Sequence, residues 1–177
     1  MKLPAECRYA TKPPSGRSVI METEDGEILC CRVAMRFLAG CDGETPLCRD
    51  PGNEVYRITY DHAFGEQAWV RVSRQEGSIT VHRVYHSQRF NIGERFEAAL
   101  PIGDWRRLQD ALITANFWSL PPLVSSQGAW LDGYNVIVEG RRGNVFRATT
   151  LINPDVDELW QICRVAFDLA GLVDLGL

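Results

Sequence analysis

Four runs between residues 54 and 101 constrain this chain more than any other feature. They are "EVYRITY", "AWVRVSR", "SITVHRVYHSQRF" and "ERFEAALP", and only a few residues separate each from the next. In the first, Val55, Arg57 and Thr59 alternate with Tyr56, Ile58 and Tyr60, a period of two that sends successive side chains to opposite faces of a strand. Val70 and Val72 share a face in the second. Glu76-Gly77-Ser78 supplies a turn before the third, and Phe96, Ala98 and Leu100 alternate in the fourth up to Pro101. A parallel connection needs a crossover of a dozen or more residues, so links this short require an antiparallel meander.

Downstream the period changes. Trp105, Leu108, Leu112 and Ala115 recur at helical spacing, with Arg106, Arg107, Gln109 and Asp110 on the wet side. Asp104 is expected to cap this helix, which should stop before Pro121. "YNVIVEG" and "NVFRATTLI" then read as a hairpin around Gly140-Arg141-Arg142-Gly143. A second helix follows, with Asn153 as cap, Pro154 in the first turn, acidic Asp155, Asp157 and Glu158 at the positive end of the dipole, and Gly171 as the stop. Its stripe is Val156, Leu159, Trp160, Cys163, Phe167 and Ala170.

The expected fold class is therefore α+β: an antiparallel sheet with two helices packed on one face, plus an N-terminal β-hairpin. Residues 1–17, with three prolines, read as an extended arm, and residues 18–177 as a single α+β domain. Within it, 18–54 form the N-terminal hairpin and loop, turning at Asp25-Gly26, and 55–177 the main sheet and helices. At 177 residues such a domain buries roughly 70% of its unfolded surface, enough for one core.

Several functions fit poorly. The net charge is −4, and basic residues occur singly or in pairs such as Arg106-Arg107, so nucleic acid is not an expected partner. No apolar run approaches the roughly 20 residues of a membrane span. Pro4, Glu6 and Arg8 stand where a signal peptide carries its apolar core, which points to the cytoplasm, or to the periplasm if a signal peptide had been removed. The six cysteines (Cys7, Cys30, Cys31, Cys41, Cys48 and Cys163) form no C-x2-C hook. Cys30 and Cys31 are adjacent in an apparent strand and face opposite ways, so no metal site and no cofactor is expected. Cys41 and Cys48 flank "CDGETPLC" and could bridge in an oxidising compartment.

His82 and His86, four apart on a strand, lie about 13 Å from each other, too far to share an ion. Asp61-His62 could form part of an acid/base pair, but no nucleophile-elbow or glycine-rich phosphate motif accompanies it. No catalytic residue is therefore assigned. The alternative is a small hydrolase or thiol enzyme pairing His62 or His82 with Cys30, Cys31, Cys41 or Cys48. Cys163, in the apolar stripe of a helix, is the poorest nucleophile.

The segment "FWSLPPLVSSQGAWLDGYNVIVEG" is dense in aromatics. Phe117 and Trp118 read as core at a helix end, and Asp132-Gly133 as a turn. Between them an exposed loop at 123–131 offers Ser125, Ser126, Gln127 and Trp130 as contact residues, because loops on rigid scaffolds carry function disproportionately often. Acidic candidates lie at the first hairpin tip (Glu22, Glu24, Asp25, Glu27) and in the 38–54 loop (Asp42, Glu44).

The order "DWRRLQDALITANFWSLP", "LDGYNVIVEG", a further strand and "NPDVDELWQICRVAFDLAGL" resembles a group of small bacterial proteins of unassigned role, some similar to immunity proteins for antibacterial toxins. The likeness covers roughly residues 55–172. Its motif residues, Trp105, Phe117, Trp118, Pro121, Asp132, Gly133, Glu139 and Gly140, look architectural. It implies a non-catalytic protein-binding module, most concretely an immunity-type inhibitor that neutralises a toxin or effector by direct binding through an acidic surface.

Overall fold

The computed structural model describes residues 54–62, 66–87, 92–120, 123–125, 134–143, 145–152 and 157–172, together with position 47. The predicted arm and the turn of the N-terminal hairpin lie outside these residues, as do Asn153 and Pro154.

Four strands follow one another as the alternation requires: β1 Glu54–His62, β2 Glu66–Gln75, β3 Ser78–Ser87 and β4 Ile92–Ala99. Helix α1 (Ile102–Thr114) leads through a 3-10 turn at Phe117–Ser119 to the short β5, Leu123–Ser125. The hairpin of β6 (Tyr134–Arg142) and β7 (Val145–Ile152) precedes α2, Asp157–Leu169. The strands form one sheet in the order β4-β3-β2-β1-β6-β7-β5. All neighbours are antiparallel except β5 and β7, a parallel pair the sequence did not announce.

Central β1 fixes the register of both faces. Tyr56 lies between Val72 and Gly140, Ile58 between Val70 and Val138, and Tyr60 between Ala68 and Val136. These residues share one core with Trp105, Leu108 and Leu112 of α1 and Leu159, Ile162, Cys163, Ala166 and Phe167 of α2. The two helices pack against each other, and Arg107 Nη2 meets Asp168 Oδ2 across them at 2.6 Å. Both therefore sit on one face, as expected.

The opposite face is not a wet one. Val55, Arg57, Thr59, Trp69, Ile137, Glu139 and Ala148 are all buried there. Burial on both sides of the sheet centre is unusual for an antiparallel sheet with helices on one face.

Two local expectations need correction. Pro101, not Asp104, holds the cap position of α1, and no side chain bonds to the free amides there. Proline suits a helix start because those amides have no intrahelical partner. Asp104 stands in the first turn and pairs with Arg107 at 3.3 Å. The helix ends before Pro121, as expected: Asn116 turns left-handed at φ 49° and starts the 3-10 turn. Finally, Gly140 is not part of the hairpin turn but lies inside β6, and the turn falls at Gly143 with φ +57°. The stop at Gly171 is as expected. Its φ is +69°, and bonds from Leu172 N–H to Phe167 O (2.8 Å) and from Gly171 N–H to Asp168 O (2.9 Å) close α2 in a Schellman motif.

Candidate functional site

The strand order places the candidate loop. β5 is the outermost strand on the β7 side, in parallel register with Leu123 opposite Thr150, Val124 opposite Leu151 and Ser125 opposite Ile152. Ser125, predicted as a loop contact residue, is thus a paired strand residue at the end of β5. The remaining candidates Glu22, Glu24, Asp25, Glu27, Asp42, Glu44, Ser126, Gln127 and Trp130 lie outside the described residues, as do Asp132 and Gly133.

The described nucleophile is chemically quiet. Cys163 is fully buried, its Sγ 3.8 Å from Leu159 O, and burial pushes the thiol up to about 12. A thiol that stays protonated at neutral pH is a poor nucleophile. The other five cysteines lie outside the described residues. His62 ends β1 opposite Tyr134, whereas His82 belongs to β3, two strands away. Pleating sends His62 to the helix-covered face with Tyr60, and His82 to the other face in register with Arg71 and Glu97. The structure therefore does not bring the two imidazoles together. His82 Nε2 lies 3.6 Å from Glu97 Oε1 at a partly open position. Among the described residues no group of three or more His, Cys, Asp or Glu could hold a metal ion.

Three polar arrangements escaped sequence reasoning. On the second face, Arg57 makes a bidentate pair with Glu139, Nε to Oε2 at 2.6 Å and Nη2 to Oε1 at 2.9 Å, both side chains being almost fully buried. The one sequence signal was an arginine flanked by Val55 and Thr59 at same-face positions of a strand that proves central.

A second cluster lies where β1, β6 and α1 meet. Tyr56 O–H (2.6 Å), Arg142 Nε (2.9 Å) and Gln109 Nε2 (3.2 Å) all donate to Glu54 Oε1. The Arg142 guanidinium also donates to Tyr56 Oη and lies 5.3 Å from the Trp118 ring centre. Burial, then the hydrogen bond to Glu54, raises the Tyr56 phenol above its ordinary range, so it remains a donor. Phe117 is completely buried here, while Trp118 is half-buried with its ring 6.2 Å from Tyr56, so the aromatic pair mainly seals the core.

The third is Arg83, whose Nη1 donates to Ala170 O at the C-terminus of α2, where the helix dipole favours a cation. Its guanidinium also lies 4.8 Å from the centre of the Phe96 ring.

No known family model matches the chain, and no curated protein matches it. No helix among the described residues is long and apolar enough to cross a membrane.

Proposed function

We propose that this protein is a non-catalytic binding module, most concretely an immunity-type inhibitor that neutralises a bacterial toxin or effector by direct contact. The observation that carries the reading is the position of β5. β5, Leu123–Ser125, lies at the outer edge of a sheet whose centre is buried on both faces, and in the sequence it directly precedes Ser126, Gln127 and Trp130. Contact residues that follow a rigid scaffold strand are a common arrangement for binding.

The chemistry within the frame supports the same reading. Cys163 is held protonated by burial, Arg57 and Glu139 neutralise each other, and Tyr56, Glu54 and Arg142 tie β1 to β6. The net charge of −4 suits a basic partner, and the acidic residues Glu22, Glu24, Asp25, Glu27, Asp42 and Glu44 would add to the contact.

The test is protection. Expression of the product of the adjacent open reading frame should arrest growth, and co-expression of this protein should restore it. Trp130→Ala combined with Gln127→Ala should abolish the rescue in a protein with unchanged melting temperature. Full rescue by that variant would remove the loop from the interface, and absence of rescue by the wild type would overturn the reading.

A further inference from the structure

We propose that the opposite edge of the sheet, strand β4, is a self-association surface through which two copies of this chain join into one continuous sheet. Among the described residues β4 is the terminal strand of the order, and Glu94, Arg95, Phe96, Glu97 and Ala99 are exposed along it. Edge strands are commonly guarded by proline, by a bulge or by charged side chains, and charges repel a second strand only where like signs meet. β4 contains no proline, and its central charges alternate in sign, as Glu94, Arg95 and Glu97.

That alternation selects a register. A two-fold axis normal to the sheet pairs β4 with its copy antiparallel, so that residue numbers facing each other have a constant sum. Centring the axis on Phe96 sets Phe96 against Phe96 of the second copy, Arg95 against Glu97 in both directions, and Glu94 against Ala98. Shifting the centre by one residue sets Arg95 against Arg95 or Glu97 against Glu97, and shifting it to Glu94 sets two carboxylates face to face. Like charges directly opposite each other destabilise a strand pair, so among the registers centred on residues 94–97 only the one on Phe96 is free of repulsion at the dyad, and centring on Gly93 or Ala98 avoids repulsion but forms no ion pair within β4.

The side chains fit the same arrangement. Phe96 is 39% exposed, on the face that carries the helices, and faces Arg83 across β3. The Arg83 guanidinium takes one side of the ring at 4.8 Å and leaves the outer side toward the seam. The resulting row across the junction is Arg83, Phe96, Phe96, Arg83, an aromatic pair bracketed by two cations. β5 is six strand spacings away, about 29 Å, so the dimer would carry a β5 strand at each of its far edges.

Sedimentation equilibrium of the full chain up to roughly 100 µM, a range that covers weak edge-to-edge association, tests this. The wild type should sediment at twice the 20.0 kDa chain mass. Arg95→Glu places carboxylates opposite each other at two positions and should weaken association by roughly tenfold or more. Within its own sheet Arg95 faces Val84, so this change breaks no internal ion pair seen at β4. The double swap Arg95→Glu with Glu97→Arg restores complementarity and should restore the dimer. Thermal melts of all three proteins establish that each is folded. A wild type that stays at 20.0 kDa, an Arg95→Glu variant that associates as well as the wild type, or a folded double swap that remains monomeric would each overturn the proposal.

Discussion

Replacing Gly140 by alanine places a methyl group 2.7 Å from Cε1 of Phe117 and 2.9 Å from Cδ1 of Tyr56. Carbon atoms prefer separations of roughly 3.5–4.0 Å, so the new atom is about 1 Å too close to two rings at once. Neither ring has room to retreat. Both are fully buried, they meet edge to face at 6.4 Å, and Tyr56 is also held by its hydroxyl bond to Glu54. Phe117 is further fixed by the left-handed Asn116 that precedes it. Overpacking of this kind costs about 1–3 kcal/mol, and the intrinsic gain of alanine over glycine in a strand offsets roughly 0.5–1 kcal/mol, so the net loss is about 0.5–2 kcal/mol. For a domain of this size that is a fall in Tm of roughly 1–8 °C. Urea denaturation with a second probe of melting measures it. Shrinking the obstructing ring, by adding Phe117→Leu to Gly140→Ala, should make the double variant less destabilised than the sum of the singles. Gly103, whose added Cβ meets nothing within 4 Å, is the control and should tolerate alanine with a small gain. A Gly140→Ala protein as stable as the wild type would refute the reasoning.

Two further outcomes follow from the buried groups. Glu139→Ala strands the Arg57 guanidinium in the sheet and should destabilise the fold by about 3–5 kcal/mol in urea denaturation, whereas Arg57→Met with Glu139→Leu should cost far less than that single change. Cys163 ionises at 9.0 in an unconstrained chain and at about 12 in the fold, so the folded state keeps a proton that the unfolded state releases. Its contribution to stability is complete below pH 9 and is lost as pH rises toward 12, and stability curves against pH should flatten over that window in Cys163→Ala. Alkylation of the Cys163 thiol under native conditions should proceed no faster than opening of the core around it.

Much of the frame was written in local pattern. The period-two runs gave β1 to β4 and their antiparallel links, the spacing of Trp105, Leu108 and Leu112 gave α1, and Gly171 gave the end of α2. What failed to show was set by partners distant in sequence. Gly140 looks like a turn residue until Tyr56 and Phe117 are brought against it from far along the chain. Arg57 looks like an exposed strand position until Glu139 joins it in β6 and the second face proves buried. The parallel pairing of β5 rests on a three-residue strand, too short for any periodic signal. Pro101 displaced Asp104 as the start of α1 because a ring with fixed φ suits that position without a side-chain cap. Residues 123–125, read from composition as part of a loop, form an edge strand instead, because strand order is a tertiary property that composition does not carry.

Isothermal titration of the purified chain with the purified product of the adjacent open reading frame tests the binding account most directly. The account predicts a saturable, stoichiometric complex with a dissociation constant below roughly 1 µM, weakened at least tenfold by Trp130→Ala. Absence of heat and of complex formation at micromolar concentrations of both proteins would contradict it.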